Sequence, residues 1–185
     1  KGLKGLEISF RHCRELTGES LSKIGSDVGR NLHELESLEL VYNLVKLLND
    51  KHIKDFMCNL EGKLRNLKHL NLDFGPSRDM TDEGFTILGK KMAENFENLE
   101  RLELKFGGFA NLTDKGIDGL VGSLFKSVKN LKKLKFTLES CPGVGNKSLS
   151  LIGQEIGSNL SNLKSLEINL KTLTGNVNGE GFEMV

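Results

Sequence analysis

Tryptophan is absent from this 185-residue chain, tyrosine occurs once and proline twice, so the usual aromatic anchors of a tight interface are scarce. With so little proline and an even composition from end to end, no linker or low-complexity tract divides the chain. An excess of one charge is lacking too. Lys and Arg total 26 against 25 Asp and Glu, and the basic surplus that phosphate neutralisation demands of a nucleic-acid binder is missing. No apolar run approaches the roughly 18 residues of a membrane-spanning helix. Lys1-Gly2-Leu3-Lys4 has no apolar stretch behind it, so it does not read as a secretory signal, and without a starting Met it need not be the natural N-terminus.

What is present is a period. The pattern L-x-x-L-x-L starts at Leu3, Leu35, Leu67, Leu99, Leu131 and Leu163, each start 32 residues after the last. Counting that first Leu as offset 0, the residues at offsets 3, 5, 7, 13, 18, 21, 25 and 29 are apolar in all five full units. Offsets 3, 5 and 7 alternate with polar residues, the mark of a short strand with one buried face. The spacing of three and four between offsets 18, 21, 25 and 29 predicts an amphipathic helix.

Between strand and helix stand Thr17, Asn49, Thr81 and Thr113 at offset 14, with Asn146 one residue later, all able to cap a helix N-terminus. Asp50, Asp82 and Asp114 follow directly and place negative charge at the positive end of the helix dipole. Asn66, Asn98, Asn130 and Asn162, at offset 31, mark where the chain is expected to leave the helix. Gly25, Gly89 and Gly153 share offset 22 inside the helix, where Met57 and Val121 stand in alternate units; small against large across units implies close helix approach.

The rows LTDKGI and MTDEGF, a fixed distance after L-x-x-L-x-L, resemble the ribonuclease-inhibitor-like and cysteine-containing subclasses of leucine-rich repeat across nearly the whole chain. The period is longer than usual there, and the Asn or Cys expected after the strand is mostly missing. Cys13 and Cys141 occupy a shifted version of that position at offset 10, with Val45, Ser77 and Phe109 elsewhere, so no continuous polar ladder is expected in that turn. The resemblance specifies a fold rather than a function, because the family spans inhibitors, ubiquitin-ligase receptors, GTPase regulators and scaffolds.

Strands pack about 4.8 Å apart and helices about 8–10 Å, so stacked β–α units must splay on the helical side. The expected fold is therefore α/β: a leucine-rich-repeat solenoid, a curved horseshoe with a parallel sheet on the concave face and helices on the convex face. The expected organisation is a single domain over 1–185, with repeats 3–34, 35–66, 67–98, 99–130 and 131–162 and a partial repeat 163–185. Neither end carries an atypical polar repeat, which points to a fragment of a longer array.

The strand residues that face outward on the concave side are the candidate partner-binding surface. They include Glu7, Glu39, Asn71, Glu103, Lys135 and Glu167 at offset 4, His69, Arg101 and Lys133 at offset 2, and Asp73 and Lys105 at offset 6. This face reads acidic in its first half and basic around units four and five, a two-signed surface able to orient a protein partner. Exposed apolar groups at Phe109 and at Leu44, Val45 and Leu47 would be unusual if the loops are solvated.

No catalytic, metal or cofactor constellation converges. His12, His33, His52 and His69 occupy different offsets, and the pair His12-Cys13 has no third ligand. Gly75-Pro76 and Gly107-Gly108 lack the lysine of a phosphate loop. Cys13 and Cys141 lie four units apart, roughly 19 Å on sheet spacing, too far for a disulfide. Unpaired thiols fit an intracellular, cytoplasmic setting; the sequons at Asn111, Asn146 and Asn159 arise readily in so Asn- and Ser-rich a chain. The expected function is a non-catalytic protein–protein interaction or scaffold module, with a protein partner, no nucleic acid and no membrane. The alternative is a structural assembly component whose uncapped ends self-associate or stack in a large complex.

Overall fold

A computed structural model describes residues 2–11, 13, 15–43 and 48–171. The expected strands form where the period-two pattern lies: β1 (Gly5–Ser9), β2 (Ser37–Tyr42), β3 (His69–Phe74), and, further along, β5 (Arg101–Gly107), β7 (Lys133–Glu139) and β8 (Ser165–Lys171). The helices follow the wider spacing: α1 (Gly18–Asn31), α2 (Asp50–Leu60), α3 (Asp82–Asn95), α4 (Asp114–Ser127) and α5 (Asn146–Asn159). The six strands make one sheet in sequence order, every neighbouring pair parallel. The protein is thus α/β, and none of its described helices is long and apolar enough to cross a membrane.

Register within this six-stranded sheet follows the period without slippage. Leu38 pairs with Leu70, Leu70 with Leu102 and Leu102 with Leu134, so like positions stack in rows across the sheet. A one-residue slip would turn each apolar row to the opposite face, which pins the register. The inner rows join helix residues such as Ile53, Leu88, Leu120 and Ile152 in one hydrophobic cluster. On β1 and β8 the same positions are only half-buried.

Two short strands fall where loops were expected. β4 (Ser77–Thr81) and β6 (Phe109–Asn111) pair in parallel as a second sheet, extended by the bridges Asn49–Asp79 and Thr113–Gly143. Once the main sheet brings successive units together, the following segments lie side by side and their orphan N–H and C=O groups pair. Phe109 corrects an expectation: it is buried, edge-on to Phe85 at 5.1 Å and to Phe106 at 6.1 Å, not exposed on a solvated loop. Ser77 and Cys141, at the same offset, also point inward. Leu44, Val45 and Leu47 lie outside the described residues, as does the expected last helix.

Helix starts follow the predicted caps with one change. Thr81 and Thr113 accept from the N–H groups of Glu83 and Lys115, each at 3.2 Å. Thr17 caps α1 through backbone geometry alone. In the fifth unit the cap is Gly145, not Asn146, which becomes the first helical residue. The asparagines at offset 31 are not helix ends either. α1, α3 and α5 end at Asn31, Asn95 and Asn159, and the later asparagines sit in the following turn. From there Asn98 donates to the Arg65 carbonyl at 3.1 Å and Asn162 to that of Lys129 at 2.9 Å, tying each unit to the one before.

Helix packing alternates in tightness. A Cβ on Gly25 would meet the Phe56 carbonyl at 2.8 Å, and one on Gly89 would strike the Leu120 backbone. Glycine at offset 22 therefore lets α1 approach α2, and α3 approach α4, closer than any side chain allows.

The aspartates do more than meet a helix dipole. Asp50 accepts the Thr81 N–H at 2.8 Å and the Thr81 hydroxyl at 2.6 Å; Asp82 accepts the Thr113 pair at 2.7 and 2.6 Å. Each carboxylate at the start of one helix thus staples the capping residue of the next. Asp114 repeats this on the Gly145 N–H at 3.0 Å and on Ser148. Gly84 and Gly116 make the room, because a Cβ at either would overlap the incoming carboxylate.

Candidate functional site

The strand face opposite the helices carries the predicted partner-binding residues in three rows. One row runs Glu7, Glu39, Asn71, Glu103, Lys135, Glu167 across paired strands. A second passes through His69, Arg101 and Lys133. Glu39, His69, Asn71, Arg101 and Glu103 border a shallow depression of about 130 Å³ at the centre of the face.

The third row behaves differently. Val41, Asp73 and Thr137, facing outward by period, are only 2%, 8% and 5% exposed. Asp73 is therefore not presented on the surface as an outward strand residue was expected to be. Lys105 lies beside it at 3.2 Å. The row borders a groove of about 550 Å³ at the carboxyl ends of the strands, walled by Arg11, Asn43, Gly75, Gly107, Glu139 and Ser140 among others. The other carboxylate oxygen of Asp73 is buried without a hydrogen-bond partner, and Ser140 adopts a left-handed φ of 54°.

Charge on the open face is largely spent within it. Arg101 binds Glu103 at 2.6 Å, Lys105 binds Asp73, and Lys135 binds Glu167 at 3.0 Å. Asn169 and Lys135 hold the Glu167 carboxyl below its ordinary value by hydrogen bonding to the anion. Among the described residues Glu7, Glu39 and Lys133 have no ion pair, so the acidic half keeps most of its charge and the basic half keeps the Lys133 ammonium, which acts on Glu167 only through its field.

Sequence reasoning missed a ladder one residue before the strands. Lys4, Glu36, Lys68, Glu100 and Lys132 alternate in sign, and the neighbours Lys4–Glu36, Glu36–Lys68 and Glu100–Lys132 pair at 3.0, 3.1 and 2.8 Å. Hydrogen bonds to Lys4 and Lys68 hold the Glu36 carboxyl below its ordinary value, and the bond to Lys132 does the same for Glu100. The signal was a period of two units, invisible while each unit is compared only with a common consensus. These pairs are solvated, so they favour register more than stability.

Among the described residues no group of three or more His, Cys, Asp or Glu is arranged to hold a metal ion. His33 is exposed in a turn, His52 is buried on α2, and His69 faces out from the sheet; His12 lies outside the described residues. Cys13 and Cys58 are exposed free thiols and Cys141 is a buried one, its ionisation pushed up by burial. No protein-family model matches the chain, and no curated protein matches it.

Proposed function

We propose that the chain is a leucine-rich-repeat solenoid, curved with its sheet on the inner side, acting as a non-catalytic protein–protein interaction module. The observation that carries this reading is the open sheet face. Six in-register strands present two polar rows, with exposed Glu7, His69, Arg101 and Glu167 and no covering element among the described residues. Helices wider than strands supply the curvature. A rigid, polar, periodic surface suits recognition of another macromolecule by many modest contacts. The single domain over 1–185 and the intracellular setting belong to the same proposal, the latter supported by three thiols outside any disulfide.

Edge-to-edge assembly is the weaker reading. Placing β8 of one copy on β1 of another, in the register seen inside the sheet, sets Lys164 beside Lys4 and Glu167 beside Glu7. Like charges directly opposite are destabilising. Light scattering over a concentration series should therefore give a monomer.

The direct test places a photoreactive residue at Asn71, in the centre of the open face, and separately at Lys90 on α3. The expected result is a discrete adduct with a different protein from position 71 and none from position 90. Adducts with a second copy of this chain would favour assembly instead; equal labelling from both positions, or none from either, would sink the reading.

A further inference from the structure

We propose that the groove along the helix-to-strand turns binds an extended acidic segment of a protein partner. This deepens the interaction-module reading and rests on it.

The groove, about 470 Å³, is lined among the described residues by Arg65, Lys68, Lys132 and Lys164, by Glu100 opposing them, and otherwise by asparagine. Lys68, Glu100 and Lys132 of the charge ladder line it. Glu36 shows how the ladder is satisfied: it lies between two lysines and takes Lys4 at 3.0 Å and Lys68 at 3.1 Å. After Lys132 the alternation calls for a carboxylate, and Lys164 stands there instead. The two lysines are direct neighbours, the Lys164 N–H bonding the Lys132 carbonyl at 2.8 Å. Lys132 has Glu100 on its other side, whereas Lys164 has no acidic partner among the described residues. A carboxylate from outside, bridging the two ammonium tips, completes the pattern that Glu36 completes internally.

The asparagines favour a peptide as its carrier. Asn98 and Asn162 spend their amides on the preceding unit, but the exposed side chains of Asn66 and Asn130 make no hydrogen bond among the described residues. Each offers one acceptor and two donors, matching the N–H and C=O groups of an extended backbone. A DNA sugar–phosphate backbone presents acceptors only, so it would engage the amide donors and leave the amide acceptors unused. Among the described residues the groove also has no aromatic platform on which bases could stack.

The test is an anisotropy titration of a labelled, blocked ten-residue peptide of alternating Glu and Ser. A Gln–Ser peptide and a ten-nucleotide thymidine strand are titrated in parallel. The protein is used as the full chain and as Lys164→Gln, Lys164→Glu, Asn130→Ala and the open-face double substitution Lys133→Glu/Lys135→Glu, with circular dichroism confirming that each folds. The Glu peptide should bind best, weaken with salt, and lose about threefold affinity with Lys164→Gln and about tenfold with Lys164→Glu. Asn130→Ala should weaken both peptides alike. Tighter binding of the thymidine strand, or indifference to Lys164→Glu, overturns the proposal. Loss of Glu-peptide binding only with the open-face substitution also overturns it, but leaves the open-face module standing. Failure of the Glu peptide to bind at all overturns the groove alone, since the crosslinking test at Asn71 does not depend on it.

Discussion

The junction between the first two helices and the junctions that follow it solve one problem with different chemistry. From α2 onward, an aspartate at the start of one helix staples the cap of the next; a glycine opposite makes room for Asp50 (Gly84) and Asp82 (Gly116), and Ser148 opposite Asp114 donates to it. At the first junction the sizes are exchanged. Gly18 stands where the aspartate belongs, and His52 stands where the small residue belongs, its ring filling the space over Gly18. His52 Nδ1 accepts the Asn49 N–H at 3.3 Å, the donor at offset 14 that a carboxylate accepts in the third, fourth and fifth units. Asn49 in turn accepts the His52 N–H at 3.2 Å, closing a box within the helix itself. The requirement is therefore a buried acceptor for one backbone N–H and a filled volume between helices, and either side of the junction can supply them. Carboxylate staples bind neighbouring units to each other; the histidine box satisfies α2 internally and ties it to α1 by packing.

Removing a staple should break the comparison most severely. Asp82→Ala strands both the N–H and the hydroxyl of Thr113, each bonded to a charged acceptor, and is expected to cost about 3 kcal/mol in urea unfolding. Next comes His52→Ala, which loses one weaker acceptor and opens a cavity over Gly18; about 2 kcal/mol is expected by the same measurement. Should the two substitutions prove equal, the distinction between a staple and a box fails.

Acid should separate the junctions further. Burial pushes the Asp114 carboxyl up, but the Ser148 hydroxyl and the Gly145 and Ser148 N–H groups outweigh it and hold the group below its ordinary 3.8. A depressed folded value means that the staple's contribution is fully present above about pH 4 and is lost as pH falls through the folded value. Hydrogen-exchange protection of the Gly145 N–H should drop in that window in the wild type and be pH-independent there in Asp114→Asn. The smallest effect is expected from the exchange itself. Gly18→Asp with His52→Gly rebuilds the later junction at the first one, and the double variant should unfold within about 1 kcal/mol of wild type while each single change costs more. Additive single costs would show that the two positions are not the coupled pair described here.

Much of this architecture was legible in the sequence because its cause is local. Leu70, Leu72 and Phe74 alternate within one strand, and Phe85, Leu88 and Met92 follow the helical turn, so each element declares its buried face without reference to any other. The candidate surface was legible to the same extent: outward rows follow once the inward rows are known. What was illegible was pairing within that surface. Arg101 and Glu103 face the same way two residues apart, yet whether they neutralise each other depends on rotamers and neighbours that periodicity does not describe. Asp73 was misplaced for a related reason, since it faces outward by period but lies at the strand end beside the groove of the following loops.

Period, element type and buried face were thus determined by the sequence alone, through the repeat of side-chain polarity along the chain. Only the tertiary structure decided that Asp50 belongs to Thr81, that Phe109 turns inward, and that Lys164 has no acidic partner among the described residues. Such contacts join residues about one full unit apart. Local propensity and hydrophobic period sample only a few residues in each direction, whereas a hydrogen bond or ion pair depends on atoms brought within about 3 Å by the stacking of whole units.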